Sequence, residues 1–275
     1  SDWSSDVCSS DLNIMTETKS AGPTTQIGST HSQTDVLTIR GRDTLSEIVG
    51  EKTFTETFFF IVTGKMPSVG QTACFDACLT ILMDHGLTPS ALVARLTEDS
   101  VPEDMQVAIS AGLLLVANRH VGTMSGAGRL LAEGAASDGD PRAWAAKIVA
   151  EHRARKKRLP GFGHPHYSPV DPRADRLFEV AREAGCAGRH IELIKLLEEE
   201  IEKSMGKHLT LNVTGAMAAV LSEIGFPVEA MRGVAVVGRA AGLVAHIVEE
   251  KQIGLARHLI AFADQAVTVT KPGDL

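Results

Sequence analysis

The sequence predicts an all-α protein, on three observations. From residue 43 onward the chain runs in long, strongly apolar segments. Gly and Pro break those segments at intervals that suit helix ends, and β-branched residues seldom alternate with polar ones in the period of two that a half-buried strand needs. The first predicted helix, 44–49, follows Asp43, whose short acceptor side chain suits an N-cap. The second, 54–63, is rich in phenylalanine and stops at a Gly-x-x-Pro turn. The third, 70–86, carries Cys74 and Cys78 one helical turn apart, two small residues on one face. A fourth, 90–97, opens on Ser90, read as its N-cap. The fifth, 105–121, is apolar almost all round over 107–117, which implies full burial or a subunit interface. After 127–137, the helix over 141–158 opens with Asp140 as N-cap and Pro141 in the first helical position. Helices 173–184, 190–206 and 212–224 follow. The helix over 231–251 is again apolar all round across 234–245, and its glycines between 233 and 242 let neighbouring backbones come close. The last runs over 255–263.

With 275 residues, 44% of them apolar, and a mean hydropathy of +0.04, the chain can bury a sizeable core as a soluble globular protein of one or two domains. A net charge of -7 and a pI near 5.8 argue against nucleic-acid or membrane-surface partners, so an anionic ligand has to be captured locally. Cys8, Cys74, Cys78 and Cys186 form no CxxC or Cys/His cluster, which predicts neither a metal site nor a disulfide framework and makes a reducing cytoplasm the default location. No run of 18 apolar residues and no export signal is present. Residues 1–12 read as translated sequencing-adapter sequence, so 1–14 are set aside as a non-native scar before Met15, and 15–34, rich in Ser, Thr and Gly, as a disordered lead-in.

The most informative segment is the loop 160–173, Pro-Gly-Phe-Gly-His-Pro-His-Tyr-Ser-Pro-Val-Asp-Pro-Arg. Gly161 and Gly163 allow tight turns and close approach to a ligand, and the loop delivers His164 with Arg173 nine residues later. An imidazole beside a permanent cation suits a small organic acid undergoing proton transfer. Gly-Phe-Gly-His followed by Asp-Pro-Arg resembles the central signature of the citrate synthase superfamily, which also contains the citryl-CoA lyases. The resemblance extends in collinear order: Thr38-Ile39-Arg40-Gly41-Arg42-Asp43, Asp84-His85-Gly86-Leu87-Thr88-Pro89-Ser90 with Arg95, the turn 122–128, Leu211-Asn212-Val213, and the segment from Arg239 to His246. It covers residues 35–260 and implies a citrate synthase-like multi-helical fold. The large domain would be built from 35–126 and 238–275, the smaller inserted one from 127–237, with the site in the cleft between them and a homodimer as the natural assembly.

The resemblance also implies roles. His164 matches the histidine that polarises a keto oxygen and, in the cleavage direction, would take the alcohol's proton. Arg173 and Arg239 match carboxylate-binding arginines, for which the guanidinium fork is the fitted partner. His85 matches a further substrate-contacting histidine. Gly161, Phe162, Gly163 and Asn212 would pass beside the adenine and pantetheine arm of coenzyme A. No tightly bound cofactor is implied; the coenzyme A thioester is the substrate, and an acyl-CoA and a carboxylic acid are the partners.

Two positions depart from the family pattern. Ser125 stands where the family has the histidine that hydrogen-bonds a thioester enolate, and Thr214 where it has the aspartate general base. Ser125 can still donate one hydrogen bond, but an alcohol such as Thr214 cannot abstract a carbon-bound proton near neutral pH. Cleavage is less damaged by these losses than condensation. The expected activity is therefore a carbon-carbon lyase of citryl-CoA lyase type, with a silent CoA- or carboxylate-binding homologue next and citrate synthase last. His166 is a candidate supplement. The basic run 153–158 either reaches the phosphates of coenzyme A or is a solvated face complementing the helix macrodipole. Ser168 stands where the family commonly has a basic phosphate-contacting residue, which favours the first reading.

Overall fold

The computed structural model describes residues 24–29, 35–117, 122–268, 270 and 273. The scar at 1–14, most of the expected lead-in, Cys8 and the end of the predicted helix 105–121 lie outside them. The chain divides into two compact units, one ending at Lys52 and one covering Thr53–Leu275.

In the first unit, β1 (Thr38–Ile39) pairs antiparallel with β2 (Arg42–Asp43), and Asp43 then caps a five-residue π-helix, Thr44–Ile48, accepting from the Leu45 and Ser46 amides. Within the segment expected to be disordered, Gly28 bridges Ile39, and the Ser29 hydroxyl accepts from the Thr38 amide.

The second unit is helical throughout its described elements: α1 (Phe54–Thr63), α2 (Val69–Thr80), α3 (Pro89–Ser100), α4 (Met105–Leu114), α5 (Thr123–Ala135), α6 (Pro141–Ala154), α7 (Pro172–Glu183), α8 (Arg189–Met205), α9 (Val213–Glu223), α10 (Met231–Ile253) and α11 (Leu255–Ala266). Capping boxes open α1, from Thr53 and Glu56, and α2, from Ser68 and Gln71. Asp140 caps α6 as expected, with Pro141 at its start. Ser90 does not cap α3: Thr88 holds the extended N-cap conformation and Pro89 the first helical position, which leaves the Ser90 hydroxyl for tertiary contacts. Similarly α2 ends at Thr80 rather than 86, because residues 84–86 form a separate turn in which the Asp84 carboxylate accepts from the Gly86 amide.

Helix α9 is the hub, buried from Val213 to Leu221 and packed on α5, α7, α8 and α2. Its neighbours add an aromatic cluster in which Phe75 lies 4.9 Å from Phe226 and 5.4 Å from Phe59. A second, smaller core joins α3, α4 and α10. The prediction that glycines in α10 permit close packing is met at Gly242, where an added Cβ would lie 1.7 Å from the Met83 carbonyl oxygen. The apolar helices are buried on one side only: α4 covers Ala108 and Gly112 but exposes Val107 and Leu114, and α10 exposes Val244 and Val248. By length and composition alone the stretch Val228–Ile253 could cross a membrane. Its packing on α2, α3 and α4 and the charged Arg239 buried at its centre are those of a core helix.

Candidate active site

The signature loop is anchored by the strand-like segment before α9. The Asn212 amide donates to Gly161 O at 3.0 Å, the Gly163 amide donates to Thr210 O at 2.7 Å, and Phe162 pairs antiparallel with Leu211. Gly161 has φ of 89°, and a Cβ there would lie 2.9 Å from the Gly215 Cα, so the close approach that requires glycine is to α9 rather than to a ligand. Asn212 is committed as well. Its Oδ1 accepts from the Thr214 hydroxyl and from the Thr214 and Gly215 amides, which caps α9, and its Nδ2 donates to Gly163 O at 3.0 Å. Phe162, Gly163 and Asn212 line the cavity described below; Gly161 is buried behind it.

This frame decides the chemistry of His164. Its Nδ1 accepts from two backbone amides, those of His166 at 3.1 Å and Tyr167 at 2.9 Å. The lone pair of the neutral ring is therefore at Nδ1 and its proton at Nε2. Nε2 stands 3.3 Å from Nη2 of Arg173. Both atoms carry protons, so the pair forms no hydrogen bond and presents two donors side by side in the cavity lining. Burial and the nearby Arg173 charge lower the His164 pKa, against the opposing pull of Asp171. A neutral imidazole with a fixed Nε2–H suits donation to a carbonyl or alkoxide oxygen. It does not suit the other role expected for His164, taking a proton from an alcohol, because no lone pair faces the cavity.

Arg173 and Arg239 line the same cavity as His164 and His85, although 66 residues of sequence separate the two arginines. Asp171, with a fully buried carboxylate, caps α7 and holds Arg173 by two bonds, Nε to Oδ1 at 2.9 Å and Nη2 to Oδ2 at 2.8 Å. It also accepts from the Val213 amide at 3.0 Å. Burial alone would raise the Asp171 pKa, but these bonds and the Arg173 charge together bring it below the ordinary carboxylate value. Arg239 is buried on different terms. Nε donates to Leu82 O at 3.1 Å and Nη1 to the Thr88 and Ser90 hydroxyls at 3.1 and 3.4 Å; among the described residues no carboxylate pairs with it. Its pKa is lowered by burial first, with Asp84 opposing and Arg173 adding repulsion. His85 projects from the turn before α3, its ring 6.1 Å from that of His164 and stacked at 6.4 Å on Tyr167. The Tyr167 ring in turn lies 4.8 Å below the Arg173 guanidinium.

Thr214 lies at the start of α9, largely buried but in the cavity lining, and is not poised as a base. Its hydroxyl donates to Asn212 Oδ1 at 2.7 Å and lies 2.7 Å from the Thr123 hydroxyl, which must then be the donor to Thr214. Ser125 is half-buried in the first turn of α5 and outside the cavity lining, so the expected enolate donor is displaced. Thr123, two residues earlier, lines the wall instead. Sequence reasoning missed Thr123, which had no signal beyond its place in the turn. It also passed over Asp171, which stands directly before Pro172 in a readable N-cap position.

The cavity is about 1460 Å³, above the roughly 300–1,000 Å³ of common small-molecule sites. His85, His164, Arg173 and Arg239 lie in its lining with Arg153, Lys156, Lys157 and Lys207. Lys207, isolated in sequence, had no motif to announce it. His166 also reaches the lining, whereas Ser168 does not. No grouping of three or more metal-ligating side chains occurs among the described residues.

This arrangement can be set against known proteins. The family model described as citrate synthase, C-terminal domain, matches residues 40–259. The chain belongs to the citrate synthase family. It is 30% identical over 196 residues to the citrate synthase of Haloferax volcanii, covering 70% of this chain and 50% of that protein. It spans about half the length of the first curated relatives it matches. Among solved structures, the citryl-CoA lyase of Hydrogenobacter thermophilus superposes with a TM-score of 0.76 at 35% identity, over 82% of this chain and 86% of that one. ATP citrate lyase from Methanothrix soehngenii, in complex with citrate and coenzyme A, superposes with a TM-score of 0.74 at 20% identity, over 94% of this chain and 43% of that one, which speaks to the fold alone. The all-α citrate synthase-like fold predicted from the sequence is thereby shown.

Proposed function

We propose that this protein is a lyase that cleaves a coenzyme A thioester of a 3-hydroxy, carboxylate-bearing acid, of the citryl-CoA type, into acetyl-CoA and a keto acid such as oxaloacetate. The observation that carries the reading is the combination of an uncompensated buried cation, Arg239, with a hydroxyl chain where condensation would need a carboxylate base. A guanidinium held, among the described residues, by a carbonyl and two hydroxyls is stabilised when a substrate carboxylate arrives. Arg173, braced by Asp171, offers Nη1 to a second carboxylate, and the His164 Nε2–H donates to the oxygen between them. The basic groups from Arg153 to Lys207 would hold the phosphates of coenzyme A, with Phe162 and Gly163 beside its arm. Likeness to a citryl-CoA lyase at 35% identity supports the same direction of reaction.

The proposal includes the division into a large domain and an inserted domain over 127–237, a cytoplasmic setting, and a homodimer for which the outward apolar side chains of α4 and α10 offer a surface. The decisive experiment incubates the protein with citryl-CoA and related 3-hydroxy-3-carboxyacyl-CoA thioesters and follows acetyl-CoA release by mass spectrometry. No cleavage across that panel, with coenzyme A binding intact, sinks the reading.

One observation favours a second reading, a silent CoA- and carboxylate-binding homologue: the hydroxyl protons of Thr123 and Thr214 are both spent inside the protein, leaving neither to support an enolate. Binding without turnover would select it. Citrate synthase activity ranks last because Thr214 supplies no base; release of free coenzyme A from acetyl-CoA plus oxaloacetate would reverse that ranking.

A further inference from the structure

The bond network around His164 leaves one step of the proposed cleavage without an agent. Breaking the carbon-carbon bond requires the substrate hydroxyl to lose its proton, and the only lone pair of the neutral His164 ring is occupied by the His166 and Tyr167 amides. The neighbouring ring is differently placed. His85 lies on the same cavity wall, and among the described residues neither of its ring nitrogens has a hydrogen-bond partner. An oxygen about 2.8 Å from one nitrogen of each ring fits between centroids 6.1 Å apart.

We propose that His85 is the general base that takes the hydroxyl proton, while His164 donates its Nε2–H to the same oxygen. The inference deepens the lyase reading and rests on it. In the step, the O–H electron pair becomes the second bond of the new carbonyl as the proton moves to His85. The carbon-carbon bond breaks, and its pair passes to the thioester as an enolate. The enolate carbon then takes a proton from water, and His85 returns its own to solvent, so the count closes.

The surroundings of His85 fit a base that is neutral before substrate binds and stronger afterwards. Its backbone is held from behind, because Asp84 accepts from the Gly86 amide at 3.0 Å and from His246 Nε2 at 2.9 Å. His246 Nδ1 accepts in turn from Arg95, which is fully buried and paired with Glu250 at 3.0 Å. The charged and titratable groups facing the ring are Arg173 at the start of α7 with Asp171 before it, Arg239 from α10, Asp84 from its own turn, and His164 and Tyr167 from the signature loop. Desolvation by the cavity walls and the two arginines lower the His85 pKa, and the two aspartates only partly offset them. Substrate carboxylates that pair with Arg173 and Arg239 cancel that repulsion and add negative charge beside the ring, so substrate binding itself raises the basicity of His85.

The experiment compares wild type with His85→Asn and His85→Gln in two measurements, after confirming that the variants melt like the wild type. In citryl-CoA cleavage the expected result is a fall in kcat of about 10²- to 10⁴-fold, with KM little changed and the acid limb of the kcat profile gone. In NMR titrations of the wild-type imidazoles, with the variants assigning the His85 signal, its pKa should rise by about one pH unit when citrate is added. The base role is overturned by variants that keep kcat and the acid limb, by variants that lose only KM, or by a His85 pKa that citrate leaves unmoved. A wild type that cleaves none of the thioesters fails at the lyase reading itself and takes the base role with it.

Discussion

Arg173 and Arg239 face one cavity with the same side chain and are held on opposite principles. Arg173 stands in the first turn of α7 and is gripped by that helix's N-cap, Asp171, two residues away, with two charge-assisted bonds to a fully buried carboxylate. Arg239 rises from the middle of a 23-residue helix and, among the described residues, hydrogen-bonds the Leu82 carbonyl and the Thr88 and Ser90 hydroxyls but no carboxylate. A buried charge with a partner braces the fold; a buried charge without one leaves its attraction for a ligand. Under the proposed function Arg173 then serves both the fold and substrate binding, and Arg239 mainly substrate binding.

The sharpest way to break this comparison is Arg173→Met. It strands the Asp171 carboxylate, and removing one member of a buried pair costs about 3–5 kcal/mol. The backbone bonds that Asp171 keeps, to the Val213 amide above all, should hold the loss near the lower end of that range. Chemical denaturation should show this loss and calorimetry should show citrate binding abolished. Arg239→Met should separate the two effects. Citrate binding falls by about 2–3 kcal/mol, roughly 30- to 150-fold, while the denaturation midpoint moves little, because lost hydrogen bonds are offset by removal of a desolvated cation. If Arg239→Met unfolds the protein as readily as Arg173→Met, the distinction fails. Neutralising Lys156, Lys157 and Lys207 together should leave citrate binding intact and weaken coenzyme A by about tenfold, with a shallower salt dependence, as expected for solvent-exposed pairing.

The smallest effect is a pH dependence. Because the folded pKa of Asp171 lies below its unfolded value, its contribution to stability is complete above about pH 4 and is lost as pH falls through the folded pKa. Asp171→Asn should therefore be less stable at neutral pH and show a gentler decline in acid than the wild type. An unchanged acid slope would mean that Asp171 titrates alike in both states.

Much of the site was legible in advance because the motif residues carry their chemistry in their identity. His85, His164, Arg173 and Arg239 were named from sequence and line one cavity. The errors lie where partners are distant. Ser125 was assigned by register with the family pattern, but the start of α5 at Thr123 turns a different hydroxyl to the wall. Asn212 was assigned to a ligand alone, and although it lines the cavity, its hydrogen bonds to Gly163 and Thr214 also tie the loop to α9.

From the sequence alone come most of the helices, the caps Asp43 and Asp140, and the loop that bears His164, because propensity, capping and glycine turns act over a few neighbouring residues. Tertiary structure alone decides which nitrogen of His164 keeps its proton, which arginine has an anion, and where the Thr214 hydroxyl points. Those outcomes depend on bonds between groups far apart in the chain, such as Arg239 to Leu82 and Asp171 to Val213, separated by 157 and 42 residues. A local pattern carries no information about an acceptor that only packing brings near, and a buried group takes its protonation and its function from that acceptor.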